Sequence, residues 1–187
     1  MTLLTLGVLL WAVTHLMLSV APSVKQSIAA KTGDNGFKGI FSLTMLVALA
    51  LIISGWRSIE QPDYLYTLPL WTRHLGMLLV LFGFILFVAS GQPTRIKQYL
   101  RHPQLTGLIL WAAAHLLMNG DSRSVVLFGG LGLWAILEIV FINRRDGEWV
   151  KPEVPALAQD IKILVISVVV YVAVAFAHPW LAGVAIM

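Results

Sequence analysis

The sequence predicts an all-α, polytopic membrane protein with about six transmembrane helices in a single domain, residues 1–187. Three observations predict it. First, 58% of the residues are hydrophobic and 12% are charged, with a mean hydropathy of +0.84. A soluble domain carries about 25% charge, so this chain cannot clothe itself in water. Second, six apolar runs of near span length follow one another, and a bilayer crossing takes about 20 apolar residues. Third, Lys and Arg concentrate in alternate loops, which is how basic residues report orientation. The same observations exclude an ordinary soluble domain, a disordered tail and a nucleic-acid module. The chain has no cysteine, which excludes disulfides, iron–sulfur clusters and thiol chemistry. Any metal site must use His, carboxylate, Met or backbone ligands.

The first run is Thr2–Val20. It has no basic start, and no A-x-A site closes it before Ala21-Pro22-Ser23, so it reads as a true span rather than a cleaved leader. Residues 21–37 hold Lys25, Lys31, Gly33 and Gly36 and read as a short surface helix followed by a turn. The second span is Lys38–Trp56, and a loop with Pro62, Asp63 and Pro69 leads to the third, Leu70–Ser90. A basic loop precedes the fourth and shortest, Pro103–Met118. Asn119-Gly120 then forms a tight turn and Asp121 caps the fifth, Ser124–Ile142. A polar loop with Pro152 and Pro155 leads to the sixth, Ile161–Leu181. Helix is the only reading available. An open strand leaves its backbone unsatisfied in lipid, and no run alternates as a barrel strand would.

Loops one, three and five hold ten basic residues: Lys25, Lys31 and Lys38; Arg95, Lys97 and Arg101; Arg144, Arg145, Lys151 and Lys162. Loops two and four hold three, Arg57, Arg73 and Arg123. The positive-inside rule puts the first group in the cytoplasm and both termini outside.

Ionisable residues inside lipid default to functional hypotheses. Of the five histidines, His15 and His115 lie deepest, and His178 reads as an interfacial residue beside Pro179. Their helices match. Gly7–Leu18 reads GVLLWAVTHLML and Gly107–Met118 reads GLILWAAAHLLM, identical at six of twelve positions. In each, Gly, Trp and His fall at i, i+4 and i+8, so Gly7, Trp11 and His15 share one face, as do Gly107, Trp111 and His115. Ser19 and Asn119 continue the two stripes.

The two helices stand three spans apart and cross in opposite directions, the pattern of a 3+3 inverted repeat. Phe41 and Phe128 align within the second spans, while the third spans do not match. The repeat axis would bring His15 and His115 together near mid-membrane. Two converging imidazoles in an apolar surround suit haem b, with Gly7, Gly107 and Ala112 leaving room and Trp11 and Trp111 packing beside it. The plainer reading of each histidine is a hydrogen-bonded ring between helices.

Glu138 is the one carboxylate within a span, where it would bond a histidine, relay a proton or contact a substrate. His74, which opens the third span beside Arg73, is the reserve ligand for His115. Arg101-His102-Pro103 opens the fourth helix, where free backbone N–H groups beside two basic side chains make either an anion site or an interface anchor.

Three segments resemble the NnrU family of bacterial membrane proteins. They are Trp71-Thr72-Arg73-His74-Leu75, Ile96-Lys97-Gln98-Tyr99-Leu100-Arg101-His102-Pro103 and Leu110-Trp111-Ala112-Ala113-Ala114-His115-Leu116-Leu117-Met118-Asn119-Gly120-Asp121. The resemblance implies a bacterial inner-membrane location and a link to denitrification, in which a member is needed for nitrite and nitric oxide reductase activity. It also implies nitric oxide or a membrane reductase as a partner, besides membrane lipid. The same segments are similar, more distantly, to plant 15-cis-ζ-carotene isomerase, a membrane enzyme that uses haem b to isomerise a polyene. That likeness implies His15 and His115 as haem ligands. The plant enzyme has a cysteine where this chain has Ala112, so a cysteine-based ligand switch is absent here. Arg101-His102-Pro103, with Arg144, Arg145 and Glu148 after the next span, is also similar to isoprenylcysteine-type methyltransferases, which bind S-adenosylmethionine. A cofactor-free assembly factor for membrane reductases is the remaining alternative.

Overall fold

The structure, a computed structural model, describes residues 1–184 and 186. The described residues form helices and no β-strand, with one isolated bridge between Tyr64 and Asp121. The helices are α1 (Thr2–Val20), α2 (Pro22–Arg57), α3 (Trp71–Ser90), α4 (Pro103–Met118), α5 (Ser122–Asp146) and α6 (Leu157–Ala182). All but α4 are long and apolar enough to cross a membrane, which makes five; α4 is a shorter apolar helix of 16 residues, about 24 Å.

Local chemistry explains the ends. Pro22 and Pro103 sit in the first turns of α2 and α4, where a missing N–H costs nothing. The Asp121 carboxylate accepts from the Ser124 N–H at 3.0 Å and from its hydroxyl at 2.7 Å, capping α5. α2 holds the expected surface helix and second span as two helical pieces in succession. They are divided by Gly33, whose φ of 75° suits glycine and breaks the regular helix there. A short 3₁₀ turn, Arg95–Gln98, lies in the loop before α4. Inside α5, Val125–Gly129 winds as a π-turn, a local widening common at functional sites.

α1 packs on α2, α3 packs on α4, α5 sits between α1 and α4, and α6 lies against α3. Close approach rests on glycine. A Cβ on Gly7 would meet the Ile52 backbone N at 2.7 Å, and one on Gly55 would strike the Leu4 backbone. On the other pair, a Cβ on Gly107 would meet the Gly83 carbonyl at 2.8 Å. Small residues at such crossings let helix backbones touch in lipid. Leu4, Val8 and Ile52 form the buried apolar cluster between α1 and α2, with Leu127 and Leu131 of α5 against it. The outward faces stay apolar, with Leu9, Val13, Leu43 and Val169 all exposed, as lipid contact requires.

The loops gather into two ends. At one, Ser122 N–H donates to the Asp63 carbonyl, Leu65 N–H to Gly120, and the Tyr66 hydroxyl to Leu116 at 2.6 Å. At the other, Thr94 donates to Asp160, Gln98 to the Pro152 carbonyl and Arg101 to the Gly147 carbonyl. This second end carries Arg95, Lys97, Arg101, Arg144, Arg145 and Lys151 and is called the basic end. α4 leaves the basic end at Pro103 and reaches the opposite end at Met118, beside the Thr72 hydroxyl, which donates to Leu117.

Candidate functional site

The two Gly-Trp-His stripes flank α5. On α1, His15 Nδ1 lies 2.9 Å from the Trp11 carbonyl; on α4, His115 Nδ1 lies 2.8 Å from the Trp111 carbonyl. A carbonyl can only accept, so each Nδ1 carries the proton and donates. In the neutral ring that places the lone pair on Nε2. Fixing the tautomer through Nδ1 is the usual preparation of a histidine that ligates through its other nitrogen.

Aromatic rings surround both imidazoles. His15 meets Phe41 of α2 edge-on at 5.3 Å and Trp134 of α5 at 4.9 Å. His115 stacks on Phe128 of α5, centroids 4.3 Å apart and planes 25° apart. Each tryptophan lies 4.8 Å from its own histidine one turn on. Phe128 also meets Trp111 at 4.8 Å and Trp56 at 6.0 Å, and the Arg123 guanidinium covers Trp56 at 4.3 Å. Phe128 lies within the π-turn.

Between α1 and α5 lies a polar seam. Ser19 donates to Glu138 Oε1, both residues buried. Glu138 Oε2, Trp134 Nε1 and Trp11 Nε1 are buried without a hydrogen-bond partner. Each such group costs about 1–3 kcal/mol if left unmet, so three together mark a place built for something polar.

Other expected site residues go elsewhere. Gly7 and Gly107 serve the α1–α2 and α3–α4 crossings, not open space beside the histidines. Ala112 is buried on α4 against Gly132 of α5. His74 is exposed at the start of α3, with no hydrogen bond or ring contact among the described residues. Arg101 and His102 brace the basic end: Arg101 donates to Gly147, and His102 Nε2 lies 2.8 Å from Asn143 Oδ1. Asn119 donates to the His115 carbonyl and closes α4. The described residues hold no cluster of three or more His and carboxylate side chains fit for a bare metal ion.

Trp134 escaped the sequence reading. Its spacing of four from Glu138 was the available signal, since it puts both on one face of α5. Between α3 and α4, Val80, Gly83, Phe84, Phe87, Leu108 and Trp111 line an apolar groove of about 260 Å³.

Comparison with known families gives a match over residues 3–186 to the model described as NnrU protein. Comparison with curated proteins and with solved structures gives no match.

Proposed function

The chain belongs to the NnrU family, and from that premise we propose that it is a six-crossing membrane protein that holds one haem b through His15 and His115 and serves nitrogen-oxide metabolism. One observation carries the reading: both imidazoles are held by a tryptophan carbonyl one turn back, with Nε2 left for a ligand. His15 and His115 would hold the group through Nε2, a donor type that suits a haem iron; α5 stands between their helices, and His15 meets it at Trp134 while His115 meets it at Phe128. When bound, the haem would supply one-electron chemistry, and it would take a diatomic gas such as nitric oxide on release of one of the two histidines. The chain's own residues do the rest. The Trp11 and Trp111 carbonyls keep each proton on Nδ1, while Phe41, Phe128 and Trp134 shield the rings and limit their rotation.

The six crossings draw support from α4, which runs from one loop cluster to the other. The basic end then faces the cytoplasm of a bacterial inner membrane, with both termini outside. The 3+3 inverted repeat draws support from the matched stripes and from Phe41 and Phe128, which align in sequence and each touch the histidine of the preceding helix. Against it, α5 packs on both α1 and α4, where a strict repeat would give α2 the corresponding place.

A second reading is haem-dependent cis–trans isomerisation of a polyene. The groove beside Trp111 favours it, being apolar and open between two helices. The methyltransferase reading gains less, because Arg101 and His102 are engaged by Gly147 and Asn143.

The test is the absorbance spectrum of detergent-purified protein, oxidised and dithionite-reduced, for wild type, His15→Ala and His115→Ala. A Soret band with sharp reduced bands, weakened by both substitutions, is expected. A colourless wild type after haem supplementation overturns the reading. Co-purification of a reductase would then favour the assembly factor, and S-adenosylmethionine binding lost on changing Arg101 would favour the methyltransferase.

A further inference from the structure

We propose that the seam between α1 and α5 is a hydrated route by which water, and protons with it, reaches the neighbourhood of His15 from the basic end of the bundle. The route is written along two helix faces. On α1 it runs through Trp11, His15 and Ser19, one turn apart; on α5 it runs through Trp134, Glu138 and Arg145, at spacings of four and seven. The two faces touch at Trp11 with Trp134, at His15 with Trp134 and at Ser19 with Glu138. Arg145, half-exposed, stands at the mouth and reaches the Leu18 carbonyl at the end of α1.

The chemistry of the unmet groups selects water. Glu138 and Trp134 are each more than nine-tenths buried. Glu138 Oε2 lacks a donor, and the indole N–H groups of Trp134 and Trp11 lack an acceptor. In the structure none of the three pairs with another. A water accepts from an indole and donates to a carboxylate oxygen, and a buried water characteristically makes two to four such bonds. A metal ion would serve the carboxylate and leave both N–H groups unmet. Polar side chains at membrane depth face either a partner or a wet cavity, and here the partners are incomplete. The inference stands whatever His15 Nε2 binds, because it uses the carboxylate and the indoles alone.

The test reads the seven tryptophan indole N–H groups by nuclear magnetic resonance in detergent micelles, on protein carrying nitrogen-labelled tryptophan, with signals assigned by single Trp→Phe replacements. In wild type, the Trp134 and Trp11 indoles are expected to show magnetisation transfer from water. In Glu138→Leu, which removes the acceptor and fills the space with hydrocarbon, their exchange into heavy water is expected to slow about tenfold or more, while Glu138→Gln keeps the wild-type rate. Exposed Trp71 and Trp180 should be unchanged in both and give the reference rate of open exchange. No transfer from water in wild type, or equal exchange in wild type and Glu138→Leu, overturns the proposal. Should Glu138→Leu fail to fold, the wild-type transfer alone decides, its presence supporting the route and its absence overturning it.

Discussion

The phenyl ring of Phe128 lies flat against the imidazole of His115, 4.3 Å between centroids, within a five-residue π-turn that no other helix of the described chain contains. The stack makes the ring of His115 the better fixed of the two, since His15 has only edge-on and tilted neighbours. Phe128→Leu keeps an apolar side chain and removes the stack. We expect a loss of about 1 kcal/mol, read as a lower midpoint of thermal unfolding in detergent. An unchanged midpoint would deny the stack a part in stability.

Gly107 and Gly83 let α3 and α4 touch backbone to backbone. Gly107→Ala forces the pair apart and should cost about 1–3 kcal/mol. Gly39→Ala is the contrast, since a Cβ there meets nothing within 4 Å. Helix propensity alone then acts, and Gly39→Ala should stabilise by up to about 1 kcal/mol. Equal effects at the two sites would contradict the packing account.

Tyr66 gives a pH dependence outside the spans. Loss of solvent, then the nearby Asp121 charge, raises its pKa above the ordinary 10.0. Its hydroxyl donates to the Leu116 carbonyl, a bond that ionisation destroys. Because the folded pKa is raised, the contribution is complete below the unfolded value and disappears as pH rises through the folded one. Wild type should therefore lose thermal stability above about pH 10 more steeply than Tyr66→Phe. Parallel curves would show that the bond contributes nothing.

His102 and Asn143 tie the start of α4 to the end of α5. Single changes to Ala at each should destabilise, and the double change should cost less than their sum, with a coupling of about 0.5–3 kcal/mol. Haem absorbance should survive all three variants, if these residues brace the basic end rather than the site. Strict additivity would mean that the 2.8 Å contact is without energetic effect.

The natural absence of cysteine makes orientation simple to measure. Glu148→Cys, at the basic end, should react with an impermeant maleimide only after cells are opened. Glu60→Cys, at the opposite end, should react in intact cells. The reverse pattern would invert the topology.

Much of the fold was legible because membrane burial writes itself into single residues. Thr2–Val20 and Pro103–Met118 have the predicted bounds, since apolar runs, prolines and an Asp cap act locally. The twin His-Trp stripes were legible for the same reason. What escaped depends on partners distant in sequence. That α5 separates α1 from α4 is a choice among neighbours that hydropathy does not encode. Gly7 and Gly107 looked like room for a cofactor because a missing side chain is the same signal whether a ring or another helix fills the space. The π-turn leaves no trace in Val125–Gly129 that periodicity could register. Glu138 stood out in the sequence, yet its partner Ser19 lies 119 residues away.

The brevity of α4 carries a mechanical consequence. A helix of 16 residues spans about 24 Å, while a bilayer's hydrocarbon layer is about 30 Å thick. On the proposed reading in which α4 also crosses, with longer helices on either side, the lipid pinches inward along this one helix, at a modest elastic penalty for each ångström of mismatch. Acyl chain length thereby becomes a load applied to the helix that carries His115. Thin bilayers relieve that load and thick ones increase it, so membrane composition acts on the site without any lipid touching it.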